Sequence, residues 1–193
     1  MLYKYVGNVD ANKTVEYLKA FVENGTIYAS RPFDFNDPAE LKVKFDFEAS
    51  FELIKKRFKR DRPNETEQGF YNWYNSFNDH AKWWVAYNTR EQCLSSDGIV
   101  CLTREYDNFL MWSHYAHSHT GFCIGFNDEF VKTIDDRGFE GDVKYVRSYP
   151  RFNYFLDQEV DYLSAVYLHK GEPWAYEKEF RGYNKKSRHQ KLR

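Results

Sequence analysis

Residues 110–126 constrain this chain most, because two periodicities meet within them. Asn108 stands where it can cap a short helix, with Leu110, Met111, His114 and Tyr115 at helical spacing. Gly121 is expected to end that helix, since glycine accepts the left-handed conformation common at helix C-termini. Beyond it the period becomes two: Phe122, Ile124 and Phe126 share one face, Cys123 and Gly125 the other, which predicts a buried strand. Three histidines, His114, His117 and His119, flank the turn and make it a candidate site.

The same reading places elements on either side. Residues 2–6 alternate as a first strand. Asp10 or Asn12 caps a helix that carries Val15, Leu18 and Val22 inward and stops at Asn24-Gly25. Thr26-Ile27-Tyr28-Ala29 is β-branched and aromatic and predicts a second strand, followed by an ordered turn at residues 30–38. Residues 41–92 read as a helical insertion or lid, with Phe70, Trp73, Tyr74, Phe77, Ala81 and Trp84 at spacings of three and four. Further strands are expected at 98–103, 143–146 and 174–183, a helix at 156–167, and a basic, flexible tail at 184–193. The sum is an α+β fold in one domain, with a mixed or mainly antiparallel sheet of about five or six strands.

Composition narrows the partners. A formal charge of -1 gives no overall pull toward nucleic acid or acidic lipid, which leaves only the basic tail as a nucleic-acid contact. With 20% aromatic residues the core can be built from large rings. Cys93, Cys101 and Cys123 are odd in number and lack C-x-x-C spacing, so they read as thiols of a reducing cytoplasm. No apolar run approaches the roughly 20 residues that span a membrane, and the N-terminus lacks the pattern of a leader. The oligomeric state is not written in the sequence.

The chemistry-bearing residues lie in four places. On a strand over 174–183, Glu177, Glu179 and Arg181 would share a face with the carboxylates about 7 Å apart. Such a pair splits its pKa values and can hold a hydroxyl or stabilise a developing cation. The plainer reading, and the leading one on sequence alone, is a solvated edge strand with a surface ion pair. His114 and His117 share a helix face without the H-E-x-x-H pattern; His117 and His119 are expected in the last helical turn, where imidazolium complements the dipole, ahead of metal binding. His114, beside Trp112 and Tyr115, stays open as a binding residue. Arg31 follows a strand end and suits a bidentate phosphate contact, or else pairs with Asp34. Tyr28 and Tyr115 can stack on a flat ligand ring. The loop Asp34-Phe35-Asn36-Asp37-Pro38 can bind a cation or cap its own backbone. There is no G-x-S-x-G, no P-loop and no G-x-G-x-x-G.

Several blocks carry a resemblance. They are Leu2-Tyr3-Lys4-Tyr5, Asn24-Gly25-Thr26-Ile27-Tyr28-Ala29-Ser30, Phe35-Asn36-Asp37-Pro38, Met111-Trp112-Ser113-His114-Tyr115-Ala116 with Gly121-Phe122-Cys123-Ile124-Gly125-Phe126, and Trp174-Ala175-Tyr176-Glu177-Lys178-Glu179-Phe180-Arg181. In this order they resemble the bacterial family named domain of unknown function 2971, whose members run on past the last block. More remotely, the order of strand, helix ending in Asn-Gly, strand with Tyr and Ser, and late Glu-x-Glu is similar to the ADP-ribosyltransferase superfamily. That resemblance implies NAD as substrate, held by Lys4 or Tyr5, Tyr28 or Ser30, with Glu179 and Glu177 acting on the ribose. Arg31 would take the diphosphate, Tyr28 or Tyr115 the nicotinamide, and His114 would border them. The first strand has neither the Arg nor the His typical of that superfamily. The implied activity is that of an NAD-consuming effector, a toxin or phage-defence protein. The alternatives are a module that binds a nucleotide or nucleic acid without turnover, and a metal-dependent nuclease using Asp34, Asp37, His114 and the glutamates.

Overall fold

The computed structural model describes residues 1–96, 98–127, 139–184 and 189–191. The strands are β1 (Leu2–Val6), β2 (Thr26–Tyr28), β3 (Lys44–Asp46), β4 (Gly98–Thr103), β5 (Phe122–Phe126), β6 (Phe139–Asp142), β7 (Lys144–Val146), β8 (Arg151–Asn153), β9 (His169–Gly171), β10 (Glu179–Asn184) and β11 (His189–Lys191). The helices are α1 (Ala11–Val22), α2 (Phe51–Asp61), α3 (Glu67–Ser76), α4 (Asp79–Ser96), α5 (Phe109–Tyr115) and, in chain order, α6 (Glu159–Tyr167). The architecture is α+β, as the periodicities predict. A sheet in the order β5-β1-β4-β10-β6 pairs antiparallel throughout, and the shorter pairs β3-β8 and β7-β9 are parallel. Among the described residues no helix is long and apolar enough to cross a membrane.

Alternation along β4 gives the main sheet two buried faces. Val100 and Leu102 join Leu2, Ile27 and Phe180 on one, with Phe21 of α1 against them. Ile99 turns to the other, under Tyr162, Val166 and Tyr167 of α6. Asp10 is the residue that caps α1, its carboxylate accepting from the Asn12 amide at 2.9 Å, and Gly25 takes the left-handed turn after it (φ 55). Helices α2 and α3 close an aromatic cluster around Phe70, which meets Phe58 and Phe51 at 5.3 and 5.4 Å between ring centres.

Four expectations are corrected. Helix α1 does not carry Val15, Leu18 and Val22 inward: they are 50%, 39% and 73% exposed, and Phe21 packs on the core instead. The chain over 174–183 is not one strand: Glu172–Glu177 form a 3-10 turn, Lys178 is left-handed (φ 43), and β10 begins only at Glu179. Pro173 favours the turn, and β10 lies inside the sheet between β4 and β6, so its charged residues are not on a solvated edge. Helix α5 stops at Tyr115, so His117 and His119 are not in its last turn; with Ser118 they form a left-handed turn (φ 44, 51 and 68). Gly121 is not the left-handed residue. Its need for hydrogen in place of a side chain is steric: a Cβ would lie 2.1 Å from the Val6 carbonyl oxygen and 2.9 Å from Gly7 Cα. Of the tail, residues 189–191 pair with β2, and residues 185–188 and 192–193 lie outside the described residues.

Candidate functional site

The free edge of β4 creates the site. On one side β4 pairs with β10 along its length. On the other it meets β1 only at Tyr3↔Thr103, and Ser30 only at Ile99. Between these two contacts the strands part, and the Cys101 carbonyl faces a gap instead of a neighbouring strand. The Lys4 ammonium donates to it at 3.1 Å, filling the place of the missing backbone donor. Burial lowers the Lys4 pKa, while Cys101 and Glu179 pull it back up. The gap widens into a cavity of about 500 Å³, walled by Tyr17 and Phe21 of α1, Met111, His114 and Tyr115 of α5, and Tyr28 and Ser30.

At one end of this cleft stands a buried charge centre of Glu40, Lys170, Glu177, Glu179 and Arg181. Lys170 reaches Glu177 Oε2 at 2.6 Å, Glu179 Oε2 at 3.4 Å and Glu40 Oε2 at 3.8 Å, and lies 4.8 Å from the Trp174 ring centre. Arg181 holds Glu179 with two bonds, Nε to Oε1 at 2.7 Å and Nη2 to Oε2 at 2.8 Å. It also donates to Glu40 and, at 3.0 Å, to the Tyr167 carbonyl. The Tyr115 hydroxyl donates to Glu177 Oε1 at 2.5 Å.

Local chain geometry brings these groups together. The 3-10 turn and the left-handed Lys178 lead into β10 with Glu177 and Glu179 both on the Lys170 ammonium. Thr103 Oγ1 donates to the Glu177 carbonyl at 2.5 Å, and Asn108 Nδ2 to the Tyr176 carbonyl at 2.9 Å. The same Asn108 caps α5, accepting from the Leu110 and Met111 amides at 3.0 and 3.3 Å, so one side chain ties Tyr115 to Glu177. Tyr145 of β7 accepts from the Glu179 amide at 2.8 Å. In β9, Lys170 sits opposite Tyr145 and turns inward.

Burial pushes the Glu179 carboxyl up to about 7; Lys170 acts against the rise and Glu177 adds to it. The fork of Arg181 works in the same direction as Lys170. Burial also works against the charge of Lys170, but Glu179, Tyr115 and Glu177 outweigh it, and its pKa is raised. Arg181 is lowered by burial yet stays cationic between Glu179 and Glu40. The Tyr115 phenol is raised, by burial first. Two cations and three carboxylates thus neutralise most of one another in a buried site, and the tyrosine remains a donor.

Of the residues singled out in the sequence, Tyr5, Tyr28, Ser30, His114, Tyr115, Glu177 and Glu179 all border the cleft, as does Lys4. Tyr28 lies toward solvent at 42% exposure, and Tyr5 meets Trp112 edge-on at 5.2 Å. The Tyr5 hydroxyl faces the Asn108 backbone without making a hydrogen bond of good geometry, and burial pushes it up to about 12. His114 lies 6.3 Å from the rings of Trp174 and Tyr176. Arg31, like Asp37, His117 and His119, is not among the residues that border the cleft. It is exposed, outside the cleft lining, and forks onto Asp34 at 2.8 and 3.0 Å. The local pair three residues on wins over a role in the cleft. Asp37 caps the Ala39 amide at 2.8 Å, and among the described residues no three His, Cys, Asp or Glu are grouped to hold a metal ion.

Sequence reasoning missed Glu40 and Lys170. Each stands alone among turn or short-strand residues, and no spacing pattern marks it. No curated protein and no solved structure matches the chain. Residues 111–182, which hold Tyr115, Lys170 and the Glu177-Glu179-Arg181 group, match the model of the family described as Protein of unknown function (DUF2971), the family that the sequence blocks resemble.

Proposed function

We propose that the cleft binds NAD and that the protein breaks the bond between nicotinamide and ribose, passing the ribosyl carbon to water or to an acceptor hydroxyl. The electron pair of the broken C–N bond leaves with nicotinamide, which becomes neutral. The ribose carbon gains positive charge, then bonds to the incoming oxygen, whose proton goes to solvent or a carboxylate. The observation that carries this reading is the Glu177–Glu179 pair, buried in the wall of an aromatic cleft and held in place by Lys170, Arg181 and Tyr115. A carboxylate fixed beside a developing cation needs no reorganisation as the charge appears. Tyr28 and Tyr115 border the space a flat ring would occupy, and the Lys4 ammonium is the cation within reach of the diphosphate. In a cell, unchecked turnover of this kind depletes NAD, in keeping with an effector.

Nicotinamide release from NAD by the purified protein tests the proposal. Glu179→Gln keeps the shape and removes the charge, and should lower the rate by about a hundredfold or more. No release by the wild type, or an unchanged rate in this variant, overturns it. A second reading, nucleotide binding without turnover, draws on one fact: every oxygen of the pair already accepts from Lys170, Arg181 or Tyr115. Saturable NAD binding with no nicotinamide formed would favour it.

A further inference from the structure

A second pocket, of about 530 Å³, borders β9 and is walled by Ala39, Leu41, Lys42 and Lys44 and by residues 146–150 and 169–173. Lys170 lines both cavities, but its charge belongs to the buried centre. The remaining permanent charges of this pocket are unbalanced. Lys42, Lys44 and Arg147 face one carboxylate, Glu172, and Arg147 already holds it at 2.6 and 3.2 Å. Neither Lys42 nor Lys44 has a carboxylate partner among the described residues. Some surface cations pair with acids, Arg31 with Asp34, Lys55 with Glu67 and Arg104 with Asp142; what sets Lys42 and Lys44 apart is that they line one concave pocket together with Arg147.

The pocket therefore concentrates positive charge on a chain whose formal net charge is -1. Its walls include Leu41, Val146 and Pro150, and low-dielectric walls strengthen the field inside a concave site. Lys42 and Lys44 are two apart along the segment leading into β3, and in extended chain they fall on one side about 7 Å apart. Lys42 also lies 6.0 Å from the centre of the Tyr149 ring, which is 42% exposed and offers a flat face beside the cations.

We infer that this pocket is an anion site for a phosphate-bearing ligand, the phosphate being that of a small molecule or of a nucleic-acid strand. The inference does not rest on NAD chemistry in the cleft. Inorganic pyrophosphate and a short oligothymidylate, titrated separately into the full chain, test it. At least one probe should bind at about 50 mM salt and weaken roughly tenfold in the Lys42→Gln/Lys44→Gln variant. Two phosphate contacts on a single strand give a salt slope near about -1.4, so oligothymidylate should weaken roughly sevenfold at about 200 mM salt. Pyrophosphate binding alone points to a small-molecule phosphate; oligothymidylate binding alone points to a strand; binding of both shows that phosphate suffices. Arg147→Gln reads the same pocket through its third cation not shared with the cleft and should also weaken the probe that binds. The inference is overturned if neither probe binds at the lower salt, or if the double variant binds as tightly as the wild type.

Discussion

Replacing Lys170 by methionine removes the ammonium that three buried carboxylates share. At an effective dielectric of about 20, charges 2.6, 3.4 and 3.8 Å apart attract by about 4 to 6 kcal/mol each. Much of that is offset by the cost of stripping water from the lysine. What remains is the penalty of leaving Glu40, Glu177 and Glu179 with Arg181 as the only cation of the centre, about 3–5 kcal/mol. The loss must depend on pH. Glu179 is already raised to about 7 by burial, above its unfolded value of 4.5. A group raised on folding contributes stability that is fully present below the unfolded value and lost as pH rises through the folded one. Removing Lys170 takes away one downward pull on Glu179, so its pKa rises further and the window widens to higher pH. Urea unfolding of Lys170→Met should show the full loss at pH about 8, and clearly less at pH about 5, where Glu179 is protonated in the folded protein. For a chain of this size the loss at the higher pH lowers the thermal midpoint by about 10 °C. Adding Glu177→Gln removes one orphaned charge and should restore about 1–2 kcal/mol. A loss under about 1 kcal/mol, or an equal loss at both pH values, would refute the charge-centre account.

Two further predictions concern the turn that carries Tyr115. Gly121→Ala places a methyl 2.1 Å from the Val6 carbonyl oxygen and 3.0 Å from that of Ala116, both backbone, so urea unfolding should show a loss of about 1–3 kcal/mol. Ser118→Gly relieves a left-handed residue (φ 51) whose side chain is not suited to it; the gain, net of the extra chain entropy of glycine, should be up to about 1 kcal/mol in the same assay.

Strong local patterns were readable in advance. The alternation of Phe122, Ile124 and Phe126, the cap at Asn108 and the buried run of β4 each mark their elements, and each element forms. Features set by distant or rare geometry were not. The aromatic run at Trp174-Ala175-Tyr176 has strand propensity, but Pro173 and the left-handed Lys178 bend it into a turn, and no residue type announces a left-handed lysine. The left-handed turn at His117, Ser118 and His119 is invisible for the same reason; backbone bonds hold it, such as the Gly121 amide to the Ala116 carbonyl at 2.8 Å. Arg31 shows the opposite case, where a partner three residues away was visible and prevailed over a more distant role. Glu40 meets Arg181 across 141 positions, and one sequence carries no trace of such a pairing.

That last distance bears on the order in which the molecule assembles. Lys170, Glu177, Glu179 and Arg181 lie within a dozen positions, so closing them into one knot costs little chain entropy, whereas Glu40 must arrive from far away. On loop-closure entropy alone, the nearby groups would meet first and the distant acid would join late. Perturbing Glu40 would then change the rate of unfolding more than the rate of folding.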